Sequence, residues 1–160
     1  RRGTDWQERY RRCGPPPATR AGGTATLKGF QRGSTSETSS AMFLQALRVN
    51  AVGDVTLQAE AANSNSLAIW MNRNAGNLND YSDRRMQVRS TSGNVLIQSN
   101  QGAVMGQDNN GGVVISGKNV TVDNTGAGMT VNGVASADGS SINATTGAIV
   151  LGSGTPLTQQ

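Results

Sequence analysis

The stretch MQVRSTSGNVLIQSNQGAVMGQDNNGGVVISGKNVTV, residues 86–122, decides the fold. Met86, Val95, Val104, Val113 and Val122 recur in it every nine residues, and the pitch continues through Val131, Ser140 and Ile149, so that seven of eight positions are apolar. The residues between them are mostly Gly, Asn, Ser, Thr and Gln. A fixed period in so polar a background marks stacked units rather than a compact catalytic domain. Pairs two residues apart, Met86/Val88, Val95/Ile97, Val113/Ile115, Val120/Val122, Met129/Val131 and Ile149/Leu151, each put two apolar side chains on one face of a short strand. Ser92-Gly93-Asn94, Asn109-Asn110-Gly111 and Thr125-Gly126 separate the pairs and suit the left-handed dihedrals of tight corners.

Two anchors do not stabilise a hairpin, so these strands must stack on copies of themselves. Two stacks satisfy the pitch. A single chain with two nine-residue sides per turn makes fewer than four turns from residue 86 to 151, about 17 Å of height at a strand spacing of ~4.8 Å, close to the minimum for a repeat protein. Three chains wound together, each supplying one face per turn, bury the same apolar face along a longer prism. All six aromatics (Trp6, Tyr10, Phe30, Phe43, Trp70, Tyr81) precede residue 82, so the repetitive half packs without large side chains, which suits a narrow axis. The expectation is therefore an all-β, elongated β-helix or β-solenoid, preferably an intertwined homotrimer, with an extended N-terminal arm.

The arm carries the charge. The 160-residue chain has a net charge of +4. Residues 1–20 hold Arg1, Arg2, Arg9, Arg11, Arg12 and Arg20 against Asp5 and Glu8, whereas the remainder balances eight basic with eight acidic groups. Thr4 can cap a short helix over residues 1–12, with Gln7 reaching back and Trp6 and Tyr10 sharing a face. Trp6, Tyr10, Arg9, Arg11 and Arg12 are the candidates for docking onto a larger assembly. Pro15, Pro16 and Pro17 end the helix and favour an extended spacer. A basic arm can meet nucleic acid, but six arginines beside prolines fit protein docking better, and nucleic acid is not the expected partner.

The divisions that follow are 1–20 as arm, 21–40 as a Gly/Ser/Thr-rich linker, 41–84 as an irregular β region with a polar loop, 85–152 as the repetitive shaft, and 153–160 as a C-terminal tail. In 41–84, Phe43, Gln45, Leu47 and Val49 alternate as in a strand, although Ser40 could cap a helix there. Val55 and Leu57 face one way and Thr56 and Gln58 the other, while Leu67, Ile69 and Met71 turn Trp70 to the opposite side. The loop 73–83 follows, and Trp70, Arg73 and Tyr81 are the candidates for surface recognition. The shaft core is expected at Met86, Val88, Val95, Ile97, Val104, Val113, Ile115, Val122, Val131 and Ile149. Pro156 cannot donate to a ladder and ends the pattern.

Little chemistry is encoded. Cys13 is the single cysteine and there is no histidine, which excludes an intramolecular disulfide, the usual zinc sets and a Ser-His-Asp or Cys-His nucleophile. Gly106-Gln-Asp-Asn-Asn-Gly-Gly112 lacks the repeated register of calcium-binding nonapeptides, and one Asp among amides is a poor calcium site. Asp54, Asp80 and Asp83 could supply a carboxylate pair for glycoside hydrolysis, but nothing in the sequence brings two of them together. Asn119-Val-Thr121 and Asn143-Ala-Thr145 match the N-glycosylation pattern, yet stacked Asn or Thr ladders account for them. No cofactor, metal or enzymatic activity is expected, and no run approaches the ~20 apolar residues of a membrane helix.

Gly93-Asn-Val-Leu-Ile-Gln-Ser99, Gly112-Val-Val-Ile-Ser-Gly-Lys-Asn-Val-Thr-Val-Asp123 and Gly128-Met-Thr-Val-Asn-Gly133 resemble the shaft repeats of bacteriophage tail spikes and tail fibres, which are trimeric β-helices. Together with Gly53-Asp-Val-Thr-Leu-Gln-Ala59 they also resemble the coils of filamentous-haemagglutinin-type adhesins. The likeness covers roughly residues 50–152 and lies in repeat texture. It implies a structural spike or fibre of a virion that attaches to a host surface, binding a receptor or glycan; the alternative is a secreted bacterial β-solenoid adhesin at the cell surface. The metal-binding His-x-His of many contractile-tail spikes is absent, which argues against a piercing tip.

Overall fold

The computed structural model describes residues 19–32, 40–45, 47–62, 68–72, 85–105, 112–124, 129–131, 139–151 and 157–159. The expected helix over 1–12, with Trp6, Tyr10, Arg9, Arg11 and Arg12, lies outside them, as do Arg73 and Tyr81. Fifteen strands make up the described chain. They fall into three five-stranded sheets, and the chain visits the sheets in strict rotation. Sheet A holds β1 (Thr19–Ala21), β4 (Arg48–Ala51), β7 (Met86–Ser90), β10 (Val113–Gly117) and β13 (Ser141–Ala144). Sheet B holds β2 (Ala25–Gln31), β5 (Val55–Ala61), β8 (Val95–Ser99), β11 (Val120–Asn124) and β14 (Ile149–Leu151). Sheet C holds β3 (Met42–Gln45), β6 (Ile69–Asn72), β9 (Ala103–Met105), β12 (Met129–Val131) and β15 (Leu157–Gln159).

Every strand pairs in parallel with the strand three places away in sequence, as Val88 with Val49 and Ile115, or Ile97 with Leu57 and Val122. Five circuits at a spacing of ~4.8 Å give a stack of about 19 Å between the first and last layers. Met86 pairs with Val113, and Ile115 with Ile142, so a regular circuit spans three repeats of the sequence pitch, one for each sheet. The circuit from Val49 to Val88 is longer, because the segment 73–84 intervenes before β7.

Three sides per circuit match neither of the two expected stacks. The single-chain alternative has two nine-residue sides per turn, and the three-chain alternative has one face per chain per turn. With three sides the face closes within one chain. The inward rows of all three sheets form one cluster in which Leu57, Ile69, Met71, Met86, Ile97, Met105 and Ile115 are the largest fully buried side chains. The segment from Phe43 to Val49, expected as one alternating strand, is divided between β3 in sheet C and β4 in sheet A.

Alternation does most of the packing. In β5, Val55, Leu57, Ala59 and Ala61 are buried, Thr56 and Gln58 are half-buried and Glu60 is exposed. Sheet A differs on its outer side, where Gln87 and Val114 are buried as well. Ser99 and Asn124, both brought inside, bond to each other. The Ser99 hydroxyl shares its proton between Asn124 Oδ1, at 2.7 Å, and the Gln101 carbonyl, while Asn100 one residue on pairs with the Ala61 backbone in both directions, at 2.8 and 2.9 Å. Asn124 is fully buried. Replacing it by Ala removes one of the two acceptors of the Ser99 hydroxyl and is expected to cost about 1–3 kcal/mol, read as a lower urea midpoint with an unchanged slope; an unaltered midpoint would show the pair to be dispensable.

Candidate functional surfaces

Two outward features stand out, a polar corner and an aromatic row. The corner between sheets A and B aligns Thr24, Asp54, Asn94, Asn119 and Ala148, each immediately before the first residue of a sheet B strand. Asp54 Oδ1 accepts from the Asn94 backbone N–H at 2.7 Å and from Asn94 Nδ2 at 3.3 Å. Asn119 Nδ2 donates to Asn94 Oδ1 at 2.7 Å, and Asn119 Oδ1 accepts from the Ala148 N–H at 3.0 Å. Side chains thus bond one circuit to the next beside backbone bonds that run through the same corner, among them the Val55 N–H to the Asn94 carbonyl at 2.8 Å and the Val95 N–H to the Asn119 carbonyl at 2.9 Å. The Ser90 hydroxyl adds a second tie, donating to the Gly53 carbonyl and accepting from the Gly93 N–H, both at 2.7 Å.

A groove of about 450 Å³ follows this corner, lined by Asp54, Asn94 and Asn119 on the polar side and by Thr56, Leu96, Thr121 and Val150 from the outer face of sheet B. The amides of the groove are already committed to the ladder, which makes the corner a structural seam first. Of the three carboxylates considered for glycoside hydrolysis, Asp54 belongs to this seam, and Asp80 and Asp83 lie outside the described residues. Asn119 of the first glycosylation-like triplet is a seam residue, and Asn143 of the second donates from Nδ2 to Ser141 Oγ at 3.1 Å. Among the described residues no three acidic, Cys or His side chains gather as metal ligands, and no helix is long and apolar enough to cross a membrane.

The aromatic row lies on sheet C. Phe43 and Trp70 are register partners, their ring centroids 5.1 Å apart and tilted by 60°. Phe43 is 49% exposed, and Trp70 is half-buried. The Trp70 indole N–H is shielded from solvent and donates to no acceptor among the described residues.

The anticipated core residues divide by circuit. Met86, Val88, Val95, Ile97, Val113, Ile115 and Val122 are fully buried, with relative exposures of 0%. In β9 the core positions are Ala103 and Met105, on either side of Val104. Val131 lies in β12, and Ile149 is 47% exposed although its partner Val120 is at 0%, because no described strand of sheet B stacks beyond β14. Sequence reasoning assigns Asn119 to a stacked Asn ladder but does not find its neighbours Asn94 and Asp54. The ladder's only signal is an Asp or Asn directly before Val55, Val95 and Val120, at unequal intervals that no fixed period reveals.

Comparison with protein-family models, curated proteins and solved structures returns no significant match. The functional reading therefore rests on the residues and their geometry.

Proposed function

We propose that the protein is a structural rod, a single-chain three-sided β-solenoid, within a surface appendage that holds a contact surface away from the body bearing it. The observation that carries this reading is the strand rotation, in which each apolar row is continued by the same chain one circuit later. Such a stack is rigid along its axis and leaves its outward side chains for contact, while the polar groups of its corner are used in linking circuits. A structural and adhesive role follows from that division of labour more readily than catalysis.

Closure within one chain favours the exported bacterial adhesin or surface-fibre form, located at the cell surface. The virion spike or tail-fibre form is the second reading, favoured by the basic arm with Trp6 and Tyr10, which suits docking into a particle; there the homotrimer would be three closed rods side by side. Sedimentation separates the two. One chain's mass is expected for the adhesin form and three chains' mass for the spike. Labelling with antibodies against residues 85–151 should mark projections on cells or particles, and a uniformly cytosolic label would refute both. Removal of residues 1–18, which stops short of β1, is expected to abolish incorporation into the appendage and leave the β spectrum intact; loss of that spectrum would make the arm part of the fold.

A further inference from the structure

We propose that copies of the chain stack end to end, the last circuit of one adding in parallel to the first circuit of the next; this extends the rod reading and rests on it. The first argument is the backbone at the corner before sheet B. From Ala25 to Val120, the first residue of each sheet B strand donates its N–H to the carbonyl of the corner residue one circuit on, ending with Val120 to Ala148 at 3.1 Å. Ile149, the register partner of Val120, is the next donor of the series, and no carbonyl among the described residues meets it. At the other end the Thr24 carbonyl, which begins the series of acceptors, receives no N–H from them. A second series runs the opposite way, from the Gly53 N–H to the Gly23 carbonyl at 3.0 Å and from the Gly147 N–H to the Lys118 carbonyl at 2.9 Å. It leaves the Gly23 N–H and the Gly147 carbonyl unmatched among the described residues. Head-to-tail stacking pairs all four groups, Ile149 with Thr24 and Gly23 with Gly147, as in any strand added to an open edge.

The side chains point to the same polarity. In the inward row Ala25, Val55, Val95, Val120 and Ile149, the three valines have no exposed surface, whereas Ile149 is half open. The smallest member stands at one end and the largest at the other. Head-to-tail contact therefore sets Ile149 on Ala25, close in volume to the Val–Val steps within the stack; head-to-head contact would set Ala25 on Ala25 and leave Ile149 in water. Gly23 supplies a third observation. A Cβ on Gly53 would lie 3.3 Å from the Gly23 carbonyl, and one on Gly93 2.5 Å from the Gly53 carbonyl carbon, so both positions crowd the preceding layer. Gly23 holds the same place in the first circuit, yet a Cβ there meets nothing within 4 Å. Within one chain this glycine has no steric cause, and a preceding layer provides one. Residues 1–18 are fewer than one regular circuit, which runs from Met86 to its partner Val113, so they do not supply a whole layer. A second copy does, because its last circuit continues the spacing, direction and register of the stack. Such a contact does not close on itself and yields an open series of lengths.

Sedimentation of the full chain over a range of concentrations tests this. The mass is expected to rise steadily through two, three and more chains and to return on dilution to one chain, the state to which the single-chain mass above applies. Gly23→Val blocks the first circuit and Ile149→Lys the last. Each should weaken association by at least about tenfold with the β spectrum unchanged, since both positions are open in the single chain. An equal mixture of the two variants separates head-to-tail stacking from every other contact. Each variant keeps one sound end, so the mixture should form pairs of chains and nothing longer. A parent mass that stays constant or stops at three chains, variants that associate as the parent does, or a mixture no heavier than its components would overturn the proposal. So would association seen only after residues 1–18 are removed, which would give the first circuit to the chain's own arm. None of these outcomes touches the appendage reading, which fails instead by a cytosolic label.

Discussion

Ile97→Asp is expected to abolish folding. Ile97 sits in β8, the middle strand of sheet B, with no exposed surface and with Leu57 and Val122 as its neighbours in the layers on either side. A carboxylate there loses its hydration and finds no cation among those neighbours, a penalty of several kcal/mol, against a total domain stability of about 5–15 kcal/mol. The β signal in circular dichroism should disappear at neutral pH. Thr121→Lys, one residue before Val122 on the opposite side of the same sheet, should change stability by no more than about 0.5 kcal/mol. Equal tolerance of the two substitutions would mean that the faces are assigned the wrong way round.

Gly93→Ala is expected to be a damaging small substitution at a corner. A Cβ at residue 93 would lie 2.5 Å from the Gly53 carbonyl carbon and 2.6 Å from the Asp54 backbone nitrogen, so the stacked corners must separate. Overpacking of this kind costs about 1–3 kcal/mol, and here it also pulls on the Asn94–Asp54 and Ser90–Gly93 bonds. Gly22→Ala is the comparison, since nothing lies within 4 Å of its added Cβ; its urea midpoint should stay near that of the parent. A Gly93→Ala protein as stable as Gly22→Ala would show that the circuits are not in contact at this corner.

Those two substitutions also separate what is legible in the sequence from what is not. The all-β class, with Val55 and Leu57 inside and Trp70 turned out from Ile69 and Met71, follows from alternation, because a strand has a period of two and water selects the polar side. The sequence pitch measures one side. It is silent on how many sides make a circuit, since the same pitch serves two sides, three sides or three chains. Only the pairing of Met86 with Val113 distinguishes these. Sequence reasoning assigns the corner glycines a dihedral role, whereas Gly93 is required for space between layers, through a contact with Gly53 in the preceding circuit that local reading does not see. Val104 shows the same limit on a smaller scale: connections of unequal length shift the strand by one residue, and the strict count lands between Ala103 and Met105.

The aromatic row has a partial signal. Trp70 is marked for recognition by its position opposite two apolar residues, but its neighbour across the sheet, Phe43, is distant in sequence and becomes adjacent only through the β3–β6 register. Arg73 and Tyr81, grouped with Trp70 by closeness in sequence, lie outside the described residues.

The central claim is that one chain closes all three sides of the stack, and a disulfide tests it most directly. Thr56 and Leu96 are register partners on the outer face of sheet B, with a strand spacing of ~4.8 Å that falls within the Cα separation a disulfide spans. Thr56→Cys and Leu96→Cys, introduced together with Cys13→Ser and oxidised in the folded state, should form a bridge within each chain, so that the denatured, unreduced protein runs at the mass of one chain. Chains linked to one another, or thiols left free, would contradict the account.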